Sequence, residues 1–173
     1  MRRAIPAMIA AVVAAWLCAC GPLNQGRAET ALGEGRLDDA AGYVQGALQS
    51  DPDNLQLKEL AARIFTQRGV KYYQNGEMIA AGDDFHRAVD YYPTYAPAYD
   101  YLGMIAFQQH NWQDAISYGN KAAGLQGKPD PDYVQTARQE LLKVQSGGFK
   151  PYIPPGRRPR PSGLPANSPG IDR

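Results

Sequence analysis

The chain has 173 residues, 44% of them hydrophobic, which is enough for one packed domain and too few for two large ones. Its formal charge of +1 is unevenly placed: Lys150, Arg157, Arg158, Arg160 and Arg173 against Asp172 give the stretch from Ser146 a net +4, and setting Arg2 and Arg3 aside as well leaves the middle at −5. A body of that sign repels phosphates, so nucleic acid is not expected as a ligand.

Met1 to Cys20 opens with Arg2 and Arg3 and then runs apolar from Ile5 to Leu17, thirteen residues. A spanning helix takes about 20, so residues 1–19 read as the core of an export signal. The run ends Leu17-Cys18-Ala19-Cys20, which resembles the lipobox of bacterial lipoproteins. That resemblance implies diacylglycerol on the Cys20 thiol, cleavage after Ala19, and an N-acyl group such as palmitate on the new amino terminus. One acyl chain holds a membrane marginally, at about 0.8 kcal/mol per buried methylene, and two or three hold it stably. An ordinary secretory peptide with Cys20 left free is the alternative. Gly21, not Asp, follows the cysteine. By the enterobacterial sorting rule that implies the periplasm-facing leaflet of an outer membrane; in a Gram-positive cell it implies the plasma-membrane surface.

Both cysteines lie in this leader, no C-x-x-C occurs, and His86 and His110 fall on separate elements. Neither a metal site nor a disulfide is expected, and each histidine reads as a helix-surface residue.

Leu23 to Leu32 predicts at best a short helix interrupted by glycine. Strength returns at Leu37. From there Ala40, Val44, Ala47 and Leu48 mark a helix ending before Pro52, and a long helix is expected from about Leu55 to Gln74. Seven residues, Leu55 to Ala61, stand ahead of the first regular segment. At about 3.6 residues per turn they add nearly two whole turns and keep the apolar face in phase.

Ala62 to Tyr95 and Ala96 to Pro129 then align at a period of 34 residues. Counting Ala62 as position 1, Phe65 falls at 4, Gly69 at 8, Tyr72 at 11, Gly76 at 15, Ala81 at 20, Phe85 at 24, Ala88 at 27 and Pro93 at 32. Gly69, Ala81 and Ala88 are small where helix axes must approach, and Phe65, Tyr72 and Phe85 are bulky where the space between hairpins must be filled. Gly76 supplies the turn and Pro93 ends the second helix. The pattern resembles the tetratricopeptide repeat, a helix-turn-helix hairpin. Gly35, Leu37, Ala40, Val44, Ala47, Leu48 and Pro52 fit the second half of an earlier unit whose first helix is not supported.

The following segment keeps Tyr99, Leu102, Gly103, Trp112, Ala115 and Ala122, but has Ala106 at 11, His110 at 15, Gly119 at 24 and Gly127 at 32. Looser packing is expected there, with Phe107, Trp112 and Tyr118 supplying bulk from adjacent positions. Asn111 and Asp114 are spaced as a helix start. Asp130-Pro131-Asp132 gives an N-cap, a proline at the first helical position and an acid in the first turn of a capping helix over residues 131–145. Tyr133, Ala137, Leu141 and Val144 are expected to form its buried stripe. Residues 146–173 are rich in proline, glycine and arginine; with no means of forming a core they are expected to be disordered with polyproline character.

The fold class expected is thus all-α: a right-handed α-solenoid of about three helix hairpins plus a capping helix, over residues 20–145. No Gly-rich phosphate loop, G-x-S-x-G or H-E-x-x-H occurs. The paired acids Asp38-Asp39 and Asp83-Asp84 diverge at i, i+1 on helices and read as solvent-facing. No enzyme and no cofactor is expected.

What the repeat resemblance implies is protein binding. In that family the first helices line a concave groove at positions 2, 5, 9, 12 and 13. In this sequence these are Arg63, Thr66, Val70, Tyr73 and Gln74, then Pro97, Asp100, Met104, Phe107 and Gln108. The mixture of aromatic, flexible apolar and polar side chains suits an extended or helical peptide, although Val70 and Met104 read equally well as packing residues. Similar anchored repeat lipoproteins serve pilus or secretion-system assembly, outer-membrane protein assembly or the recruitment of cell-wall enzymes. A structural lipoprotein touching the cell wall through its basic tail is the competing class.

Overall fold

The computed structural model describes residues 23–147. The export signal, Cys20 and the Pro-rich segment 148–173 lie outside the described residues. Within them the chain is helical and has no strand: α1 over residues 23–33, α2 Leu37–Ser50, α3 Leu55–Gln74, α4 Met78–Tyr91, α5 Ala96–Gln108, α6 Trp112–Gln126 and α7 Asp132–Ser146.

Local chemistry sets most of these boundaries. The long helix α3 begins where Asn54 Oδ1 accepts the amides of Gln56 at 3.0 Å and Leu57 at 3.2 Å, satisfying donors that the helix cannot. α5 carries Pro97 in its first turn, where a missing amide costs nothing. α6 starts at Asn111, whose side chain accepts the Asp114 amide at 3.5 Å, as the spacing predicts. Position 15 of each hairpin turns in the left-handed region: Gly35 at φ 74°, Gly76 at 82° and His110 at 59°. His110 is therefore a turn residue and not a helix-surface one, and it holds a conformation that favours glycine, with its ring edge-on to Trp112 at 5.0 Å. Gly127, where the repeat prefers proline, ends α6 at φ 62°.

Successive helices pack as antiparallel neighbours joined by short connections: α1 with α2, where Asn24 lies against Gly46 and Arg27 over Tyr43, then α3 with α4 and α5 with α6, with α7 covering the last hairpin. One continuous core runs through α1 to α6. Phe65 and Phe85 are fully buried, and each such ring contributes roughly 1.5–3 kcal/mol of transfer free energy. Phe85 lies against Gly69, where a Cβ would come within 2.8 Å of the ring. The small residue at position 8 is thus required by the large one at 24. The first helix that the repeat pattern does not support is present: Ala28 and Ala31 are fully buried.

Three further expectations are corrected. Asp84 does not face solvent. It is 3% exposed and takes a two-pronged ion pair from Arg68, Nε to Oδ2 at 2.6 Å and Nη2 to Oδ1 at 2.7 Å. Arg68 Nη1 also donates to Asp38 at 3.0 Å, so one guanidinium joins α2, α3 and α4 while its face covers Phe65 at 5.2 Å. Hydrogen bonding to Asp84, with the carboxylate's charge behind it, holds Arg68 above the usual guanidinium pKa against the effect of burial.

The capping helix is also placed differently. It begins at Asp132 with Pro131 as its N-cap residue, and Asp130 is occupied by Arg138 at 2.8 Å. Its buried residues are Val134 and Ala137, while Val144 is 62% exposed. Finally, the last hairpin is not loosely packed by its own neighbours alone. Val134, fully buried, and Tyr133 come in from α7 over Gly103 and Gly119. The missing aromatic at position 24 is replaced from the next helix.

Candidate functional site

The first helices of the hairpins, α3 and α5, touch each other, and α5 touches α7. The second helices α2, α4 and α6 make no comparable contact with one another. A stack that closes on one side and opens on the other curves toward the closed side, so the wall built by α3, α5 and α7 is its inner face. The ten groove positions lie on α3 and α5.

Their surroundings differ. Arg63, Gln74, Pro97 and Gln108 are exposed; Val70, Tyr73, Asp100, Met104 and Phe107 are half-buried. Thr66 is 5% exposed, and its Oγ1 has no hydrogen-bond partner among the described residues. Val70 and Tyr73 both pack against the core cluster. Tyr73 stands edge-on to Tyr101 at 5.8 Å, and its hydroxyl accepts from Gln108 Nε2, joining α3 to α5 across the wall. Phe107 is edge-on to Trp112 at 5.4 Å and tilted against Tyr133 at 6.1 Å.

Asp100 accepts the Tyr133 hydroxyl at 3.0 Å. Burial first, and then the Asp100 charge and this hydrogen bond, push the Tyr133 phenol above its ordinary pKa. Asp100 and Phe107 are therefore engaged by α7 at one end of the wall. Arg63, Gln74 and Pro97 are exposed, and their side chains make no hydrogen bond or ion pair among the described residues.

The concavities lie elsewhere. A cleft of about 750 Å³ opens between α2 and α4 with α3 as its floor, lined among others by Leu48, Pro52, Leu55, Tyr91, Tyr92 and Pro93. A smaller one of about 260 Å³ opens between α4 and α6 over α5. Both are on the outer face, where the second helices stand apart. None of the groove positions lines either cleft.

Sequence reasoning missed Tyr133 as a member of this wall, although the signal was present: it stands 34 residues after Tyr99, which stands 34 after Phe65. By that count α7 is the first helix of a further unit. The tyrosine-lined outer cleft had no sequence signal, because its walls come from connections far apart in the chain.

Among the described residues no helix is long and apolar enough to cross a membrane, and no group of three or more His, Cys, Asp or Glu is placed to hold a metal ion. Cys20, the expected lipidation site, lies outside them.

No protein-family model matches the chain, and no curated protein matches it. Among solved structures it is similar to the MamA protein, at TM-score 0.43 and 17% identity over 74% of this chain and 86% of that one. It is similar also to the Sgt2 TPR domain of Aspergillus fumigatus, at 0.44 and 18% over 82% and 89%. A third is the Arabidopsis OM64 TPR domain, at 0.43 and 16% over 74% and 98%. On its own helix stacking, the chain is an all-α solenoid of paired helices.

Proposed function

We propose that this chain is a lipid-anchored scaffold that holds another protein along its inner wall. The observation that supports the reading is the wall itself: it curves toward α3 and α5, and Arg63, Gln74 and Pro97 stand on it outside the core's contacts. A polypeptide laid there meets apolar area at Val70 and Met104 between polar groups that fix its register. Diacylglycerol and an N-acyl group at Cys20 tether the front of the stack to the periplasm-facing leaflet of an outer membrane. The task proposed is assembly of a pilus or secretion machine, by the fold-level likeness of such short anchored stacks.

A photo-crosslinking residue at Arg63 or Gln74, introduced in cells, is expected to give a discrete protein adduct. Adducts only from outer-face positions would overturn the inner wall as the binding surface. For the anchor, Cys20→Ser is expected to abolish incorporation of an alkyne-labelled palmitate and release the protein from the membrane fraction. The basic tail supports a second reading, a contact with the cell wall; deletion of residues 148–173 that abolishes function while leaving inner-wall adducts intact would favour it.

A further inference from the structure

We propose that the outer cleft between α2 and α4 is the docking site of this chain's own segment Pro154-Pro155-Gly156-Arg157-Arg158-Pro159-Arg160-Pro161.

The cleft's lining has the chemistry that proline-rich segments require. Tyr91 and Tyr92 are half-buried, with Pro52, Pro93 and Leu55 beside them, Leu55 being 69% exposed. Flat aromatic and pyrrolidine surfaces receive proline rings, and a polyproline helix makes no internal hydrogen bonds that docking would break. Tyr91 is held in place by stacking on Phe65, ring centres 5.6 Å apart and planes 14° from parallel, so this side of the cleft is pre-organised.

Charge gives the preference among proline-rich occupants. Asp90 lines the cleft, and Asp51 and Asp53 stand exposed on the α2–α3 connection beside Pro52. The cleft's one lysine, Lys58, already faces Asp53 at 3.5 Å. The rim is thus acidic, and the segment carries Arg157, Arg158 and Arg160 with no acidic residue.

The tether is long enough. Helices α3, α5 and α7 run parallel, so α7 ends at the opposite end of the stack from the connections that hold Pro52 and Pro93. Fifteen residues of α7 cover about 22 Å, and two steps between first helices add about 10 Å each sideways, a separation of roughly 30 Å. From Gly147 the chain reaches Pro154 in seven residues, about 22 Å at the polyproline rise, and Arg160 in thirteen, about 40 Å, so the arginine-bearing half of the segment is the part that spans to the cleft. Covalent linkage makes the docking intramolecular, so a weak contact suffices. Because this cleft and the inner wall share no residue, either surface can fail without the other.

The test places a benzophenone amino acid at Thr94, in the cleft, and irradiates the purified full-length chain at low micromolar concentration. Peptide mapping is expected to find an adduct within residues 154–161 whose yield does not change on tenfold dilution. The triple substitution R157E/R158E/R160E is expected to lower the yield about tenfold, the effect of losing three rim ion pairs. Adding Asp90→Lys to that triple variant is expected to restore much of it. Adducts that map elsewhere, that join two copies, or that fail to form overturn the proposal. So does an unchanged yield in the triple variant, and so does capture in cells of a different protein at Thr94 to the exclusion of the tail.

Discussion

Tyr133 lies over Gly103 much as Phe85 lies over Gly69: in each case a Cβ on the glycine would run into the aromatic ring. In one hairpin the ring comes from the second helix of the same unit, and in the other from the helix that follows. Gly119, at the place where the aromatic is missing, is the second surface on which Tyr133 and Val134 rest.

The cost of filling those spaces follows. A Cβ at Gly119 meets Val134 Cγ2, close to the α7 backbone, so the helix itself must shift, whereas nothing lies within 4 Å of a Cβ at Gly42. Gly119→Ala is expected to destabilise by about 1–3 kcal/mol, the usual range for overpacking. Gly42→Ala, in the exposed face of α2, is expected to stabilise by about 0.5–1 kcal/mol. Urea unfolding of both variants checks the contrast, and equal signs would remove α7 from its position.

Among the described residues Arg68 and Asp84 form the buried ion pair, with side chains 15% and 4% exposed. Asp84→Ala leaves the guanidinium only the exposed Asp38 as a partner and is expected to cost about 2–4 kcal/mol. The double variant Arg68→Met, Asp84→Leu is expected to recover most of that loss, because apolar packing needs no desolvation of charge. The difference between the single and the double variant in chemical denaturation is the measured quantity.

Tyr133 gives a pH dependence with a definite sign. Its phenol is raised in the folded state, mainly by burial, so the fold binds that proton more tightly than the unfolded chain does. The associated stability is fully present below the unfolded pKa of about 10 and is lost as pH rises beyond it. The wild-type chain is therefore expected to lose more stability than Tyr133→Phe between about pH 9 and 11. Comparing the two chains cancels the other tyrosines; parallel pH profiles would contradict the burial of this hydroxyl against Asp100.

His110 holds the left-handed turn position that glycine fills in the two preceding hairpins. His110→Gly relieves that conformation but gives up the contact with Trp112 and adds freedom to the unfolded chain. A net gain of about 0.5–1 kcal/mol is expected. Thermal unfolding decides it, a lower midpoint showing that the aromatic contact outweighs the backbone.

On the inner wall, substitutions separate binding from packing. Arg63→Glu with Gln74→Lys touches only exposed side chains, and is expected to reduce partner crosslinking about tenfold with stability unchanged within about 0.5 kcal/mol. Phe107→Ala removes a ring packed on Trp112 and Tyr133 and is expected to cost about 2–3 kcal/mol of stability whatever it does to binding. Crosslinking and denaturation measured on the same variants distinguish the two.

By itself the sequence determined the helices from α2 onward, their pairing and much of their ends, but not α1. The 34-residue interval, the phase of Leu55 to Ala61 and the start at Asn111 are local signals, set by turn chemistry and by the periodicity of apolar residues. It also carried Phe65 and Phe85 as core, since large rings opposite small residues have few other places to go. What only the tertiary structure decided is which partner fills each gap. Asp84 is buried because Arg68 reaches it across a hairpin. Gly119 is tolerated because α7 brings Val134 and Tyr133 over it, and the tyrosine-lined cleft exists because α2 and α4 diverge. These are contacts between residues separated by many positions, and their geometry follows from how whole helices lean on one another, which no short window of sequence encodes.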